Sequence, residues 1–126
     1  MGDTKTFHLD SITKGQYVSW FITTQAANVI TVKLYDDKKV YFEKSKQSIN
    51  IEPPLAQGAA FVEGDNLKLQ ISSSSAYELK TWHKMSDISS SRGQCVGEIF
   101  TLAGEDYIDE DYNDVYVSLS AWKKAE

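Results

Sequence analysis

Alternation of apolar and polar residues at every second position is the feature that most limits how this chain can fold. The run NVITVKLY puts Val29, Thr31, Lys33 and Tyr35 on one face and Ile30, Val32 and Leu34 on the other. Only an extended strand sends successive side chains to opposite faces, so a run like this seals a core as a strand. NLKLQIS repeats the pattern at Leu67, Leu69 and Ile71, and VYVSLSAW repeats it near the C-terminus. QYVSWFIT and CVGEIFTL are apolar runs of strand length. FHLD, KVYFE, SINIE and AYELKTWH are further candidates, the last with Tyr77, Leu79, Thr81 and His83 on one face. Helical spacing is nearly absent.

Turn chemistry separates these runs. Asp36-Asp37, Pro53-Pro54, Gly64-Asp65-Asn66, the serines at 72–75 and SSSRG at 89–93 all read as turns or loop tips. The combination predicts an all-β chain: a single antiparallel β-sandwich domain over residues 1–126, with about 8–10 short strands. A length of 126 residues at 41% hydrophobic content is enough to bury a core.

Charge and composition exclude several functions. The formal net charge is −5 and the lysines are scattered, which argues against a nucleic-acid partner. Cys95 is the lone cysteine, so neither an internal disulfide nor a thiolate zinc cluster can form. Its apolar setting predicts a buried, inert thiol. His8 and His83 are far apart in sequence and pair with no other candidate metal ligands. Trp20, Trp82 and Trp122 each lie within a strand pattern, which favours core packing over stacking on a ligand. No apolar signal region opens the chain and no run reaches membrane-spanning length. The chain as encoded is therefore expected in the cytoplasm, with non-classical export left open.

One stretch breaks this quiet composition. In GEDYIDEDYND, Gly104 to Asp114, six of eleven residues are acidic, and a strand follows at once. A solvated acidic loop is the plain reading. The regular spacing, with Asn113 among the carboxylates, points instead to a hard cation: calcium takes 6–8 oxygen ligands at roughly 2.3–2.6 Å in irregular geometry. An EF-hand is excluded. With Asp109 as its first position, the sixth is Asp114 rather than glycine and the twelfth is Ser120 rather than glutamate. Glycoside hydrolysis is disfavoured, since it needs one acid kept neutral in an apolar pocket. The chain is therefore read as no enzyme.

Glu105-Asp106, Asp109 and Asp111-Tyr112-Asn113-Asp114, followed by VYVSLSAW, match the pattern E-D-x-x-D-x-D-Y-N-D and its following strand. This resembles the calcium-mediated fucose- and mannose-binding lectins, small soluble β-sandwiches. The resemblance covers about twenty residues, with a weaker echo in TFHL and YVSWFITT. It implies two calcium ions in the 105–114 loop, held by Glu105, Asp109, Asp111, Asn113 and Asp114. Vicinal hydroxyls of a monosaccharide such as fucose or mannose would fill the open coordination positions, and Asp106 would accept a hydrogen bond from the sugar. In the family an early loop adds another ligand, usually Asn, followed by specificity residues. That place reads Thr23-Thr24-Gln25 here, which makes these three the candidate ligand-binding residues. The family also closes a partner's site with a terminal Gly, whereas this chain ends Trp122-Lys123-Lys124-Ala125-Glu126. A carbohydrate-binding homo-oligomer is the expectation, and a calcium-stapled adhesion or interaction domain without sugar binding is the alternative.

Overall fold

A computed structural model describes residues 2–106 and 114–123. Nine strands run through the described residues: β1 Asp3–His8, β2 Tyr17–Thr24, β3 Ala26–Tyr35, β4 Val40–Ser48, β5 Ala56–Phe61, β6 Lys68–Ser73, β7 Lys80–Ser89, β8 Cys95–Glu105 and β9 Val115–Trp122. They form two antiparallel sheets, ordered β1-β6-β3-β4 and β5-β2-β9-β8-β7. The all-β sandwich expected from the alternation is what the chain forms. No helix among the described residues is long and apolar enough to cross a membrane.

The inner faces are those the alternation marked. Ile30, Val32 and Leu34 of β3, Leu67 before β6 and Leu69 and Ile71 within it are completely buried. They pack against Val18 and Ile22 of β2, Phe100 and Leu102 of β8, and Val117 and Leu119 of β9 in one hydrophobic core. Leaving one face of each sheet to solvent is what antiparallel sheets tolerate.

Several local expectations are corrected. SINIE is not a strand: β4 ends at Ser48, and Ile49 and Ile51 are exposed. Ser48 Oγ accepts from Asn50 N, and Lys46 Nζ gathers the carbonyls of Thr24, Asn50 and Ile51 at 2.7–3.1 Å. Three backbone acceptors on one ammonium hold a bend where a strand would have left them for a ladder. AQGAAF, with little β propensity, forms β5 because it pairs along the edge of β2. Gly58 there is forced: a Cβ would sit 2.8 Å from the Trp20 ring. Of the tryptophans only Trp20 packs inside, stacked on Phe42; Trp82 and Trp122 face outward, 74% and 43% exposed. Cys95 is half-buried rather than buried, its Sγ 3.3 Å from the Gly97 carbonyl. The serines at 72–75 are not a loop tip: Ser72 and Ser73 end β6, and Ser73 and Ser75 are buried.

At the opposite corner, Asp36 closes the β3–β4 turn. Its carboxylate accepts the backbone N–H groups of Lys38, Lys39 and Gly64 at 2.8–3.1 Å, and the Tyr41 hydroxyl. Burial pushes the Asp36 carboxyl up, but these four donors together hold it below its ordinary value.

Candidate metal centre

β8 and β9 are neighbours, so the acidic loop leaves and re-enters the sandwich at one place. Gly104 pairs with Val115, and the Asp114 N–H donates to the Gly104 carbonyl at 3.1 Å. A Cβ on Gly104 would stand 2.5 Å from Val115 Cγ1, so only glycine allows this approach. The Asp106 N–H in turn donates to Asp114 Oδ2 at 2.9 Å.

Glu105, Asp106 and Asp114 thereby bring one carboxylate oxygen each to within 4.8 Å of one another. Glu105 is 1% and Asp106 3% exposed, and Asp114 is half-buried. Burial pushes the Asp114 carboxyl above its ordinary value; the Asp106 N–H and the Glu105 side chain pull it down, and the Asp106 carboxylate pushes it further up. Carboxylates this close cost free energy unless a proton or a cation sits among them.

Of the other sequence-predicted residues, Asp109, Asp111 and Asn113 lie outside the described residues, as does Tyr112 of the same motif. Thr24 and Gln25 reach the cluster's edge: Gln25 N donates to the Asp114 carbonyl at 3.0 Å, and Thr24 lies opposite Val115 in register. Thr23 lies opposite Tyr116 and lines the outward groove beside Trp82 and Phe21. His8 and His83, although distant in sequence, line one groove with Phe7 and Phe100, and neither joins the carboxylates.

Three neighbours of the cluster were not legible beforehand. Ser73 Oγ donates to Asp106 Oδ2 at 2.9 Å, Asn28 Nδ2 donates to the same oxygen at 3.2 Å, and Ser75 Oγ donates to the Asp106 carbonyl at 2.5 Å. The i, i+2 spacing of Ser73 and Ser75 was the available signal, because in an extended segment it places both on one face.

The donor set fits calcium. All three groups are hard oxygen donors, and neither Asp106 nor Asp114 is in an ion pair among the described residues. Thr24 Oγ1, one residue from Gln25, is fully buried with no hydrogen-bond partner among the described residues. An orphaned buried oxygen usually costs about 1–3 kcal/mol, so this one calls for a partner such as a water or an ion.

Solved structures share this architecture. The C-terminal domain of the BC2L-C lectin from Burkholderia cenocepacia superposes with a TM-score of 0.69 at 20% identity, covering 99% of this chain and 100% of that one. The chain has the fold of a bacterial lectin. A Chromobacterium violaceum lectin in complex with alpha-methyl-fucoside and a high-affinity mannose-binding lectin of Ralstonia solanacearum each give a TM-score of 0.65 at 18% identity, with 95% of this chain and 96% of theirs covered. No protein-family model and no curated protein matches the chain.

Proposed function

We propose that this chain is a non-catalytic, calcium-dependent lectin for a monosaccharide such as fucose or mannose. The observation that carries the reading is the convergence of Glu105, Asp106 and Asp114 at one end of a sandwich whose fold is shared by lectins. Glu105 and Asp114, with Asp109, Asp111 and Asn113 of the same loop, would hold the calcium, two ions per chain. Bound there, calcium supplies a positive centre for vicinal sugar hydroxyls to cap. The chain's own part is to bring both ends of the loop to one point and to close the floor with Thr24 and Gln25. Hydrolysis is not the role: it asks for one acid set apart in apolar surroundings, and these three acids share one polar cluster.

The partner surface includes a second copy of the chain. Tyr17, Phe21, Phe61, Trp82, Tyr116 and Trp122 are 38–74% exposed, and all lie on strands of the five-stranded sheet or next to them in register. Exposed aromatic side chains gathered on one open sheet face are the kind of surface that a protein partner covers. Pairing two such faces would place two sites on one particle and raise avidity for clustered glycans.

The test is calorimetric titration of chelator-stripped protein with calcium, then with methyl fucoside and methyl mannoside. Calcium heat followed by sugar heat is expected. Calcium heat with no response to any simple sugar would replace the lectin reading by a calcium-stapled adhesion domain. No calcium heat would end both.

A further inference from the structure

Lys46 joins two segments that chain order keeps apart. Its ammonium takes the carbonyl of Thr24 at the end of β2 and those of Asn50 and Ile51 beyond β4, at 2.7–3.1 Å. The Leu55 N–H donates to the Ile22 carbonyl at 2.9 Å, and from there β5 runs along β2 with Ala56 opposite Ile22 and Gln57 opposite Phe21. The 50–55 segment is therefore fastened beside β2 at both ends, and Pro53 and Pro54 restrict the backbone between the fastenings.

Between this segment and β2 lies a groove of about 460 Å³, lined by Phe21, Thr23, Ile51, Glu52, Pro54 and Gln57. Phe21 and Thr23 also line the groove on the β9 side beside Trp82 and Tyr116, so they form the ridge between the two. The β9 side belongs to the face given above to a second copy; the groove against the 50–55 segment lies on the β5 side of that ridge. Its lining is mixed. Phe21 and Ile51 are each 47% exposed, apolar surface that gains from being covered. Thr23, Glu52 and Gln57 carry polar heads, and none of the three side chains has a hydrogen bond or ion pair with another described residue. A pyranose has the matching make-up: a C–H face edged by hydroxyls that both donate and accept. The volume lies within the roughly 300–1,000 Å³ of small-molecule sites. No cationic side chain lines the groove, so a neutral sugar fits it better than an anionic one.

We propose that this groove is a second glycan subsite, taking the neutral pyranose linked to the sugar at the metal end. The inference rests on the lectin reading above and deepens it: the ligand is a disaccharide or a longer glycan end rather than a free monosaccharide. Thr23 runs directly into Thr24 and Gln25, and Gln25 N donates to the Asp114 carbonyl, so one stretch of chain borders both the groove and the metal end. Phe21, Ile51 and Pro54 cover the C–H face, while Thr23, Glu52 and Gln57 meet hydroxyls, the carboxylate as the strongest acceptor. The walls are fastened before any ligand arrives, so little ordering entropy opposes binding.

The experiment titrates the full chain in calcium with methyl mannoside, methyl fucoside, the linkage isomers of mannobiose and fucosyl-N-acetylglucosamine, and repeats this for Ile51→Ala, Glu52→Gln, Gln57→Ala and the Ile51→Ala/Gln57→Ala pair. All three positions are exposed, so melting temperatures should stay native. At least one disaccharide should bind about ten-fold or more tighter than its methyl glycoside, the scale of one or two good contacts. The double variant should cut that gain to about three-fold or less, with methyl glycoside and calcium affinities unchanged. No gain for any disaccharide, beside intact methyl glycoside binding, overturns the inference and leaves the lectin reading standing. A gain that survives the double variant overturns it too, since the second sugar then rests elsewhere. Equal losses for methyl glycoside and disaccharide would place these side chains at the first sugar, again against the inference. A changed sedimentation coefficient in the variants with unchanged sugar affinities would make the groove an interface between copies and overturn it. A native chain that binds no sugar of either kind removes the inference together with the reading beneath it.

Discussion

The backbone N–H of Asp106 donates to Asp114 Oδ2 at 2.9 Å, so the two ends of the acidic loop are latched by one of the very carboxylates that crowd it. Asp114 therefore has a structural duty and an electrostatic cost at the same position. Substitutions there can separate the two.

Asp114→Ala removes both the latch and the charge. Calcium binding and sugar binding should be lost together, while the sandwich core, which Asp114 does not enter, stays folded. Asp114→Asn keeps an acceptor for the Asp106 N–H and should lose calcium with less change in melting temperature. Calorimetry and circular-dichroism melts in chelator check both, and retained calcium-dependent sugar binding in the alanine variant would sink the site assignment.

The Asp114 shift sets a pH dependence. Its carboxyl is raised in the folded chain, so its contribution is whole below the ordinary carboxylate value of 3.8 and is lost as pH rises through the folded pKa. In chelator, native protein should therefore lose stability relative to Asp114→Asn as pH rises from about 3 through the weakly acidic range. On the calcium reading the sign reverses, because the cation would bind the deprotonated loop, so the stabilisation it gives should grow with pH. Melting temperatures of both proteins with and without calcium across that range test this, and a calcium increment that is flat in pH would count against a carboxylate site.

At the far corner the signs differ by group. Asp36 is held below its ordinary value, so its contribution is whole above 3.8 and is lost as pH falls through the folded pKa. The Tyr41 hydroxyl is pushed up to about 12 by burial and by Asp36, so its contribution is whole below 10.0 and disappears as pH rises toward 12. Tyr41→Phe removes the donor to Asp36 and the acceptor of the Glu63 N–H. Its expected cost is about 1–3 kcal/mol in urea unfolding near neutral pH, with no effect on calcium affinity.

Gly104→Ala tests the entry to the loop. Its Cβ would overlap Val115 Cγ1, and β9 must shift by a few tenths of an ångström or more just beside Asp114. Overpacking of this kind costs about 1–3 kcal/mol. Calcium affinity should fall as well, since the strand that moves carries the latch; native-like affinity would show that the loop adjusts independently of the strands.

What could be foreseen followed from how local the cause was. Ile30, Val32 and Leu34 are buried because alternation alone dictates it, and no distant residue could have reversed that assignment. The acidic loop announced itself through carboxylates close together in the chain. SINIE failed because the decision belonged to Lys46, whose ammonium competes for the carbonyls a strand would have paired. Ser73, Ser75 and Asn28 stayed hidden because their partner lies 31 to 78 residues away, and a serine run without that partner reads as a turn. Trp82 and Trp122 obeyed the strand period, but the period does not say which of two faces meets the core.

Lys46 also bears on how the site behaves when its solutes come and go. Its ammonium is a cation spliced into the chain, holding Thr24, Asn50 and Ile51 by their carbonyls. If the acidic loop holds calcium as proposed, a chelator would remove that cation, but it has no hold on a positive charge that arrives by translation. The Thr24 side of the site is thus tied down by a cation that no change of medium can take away.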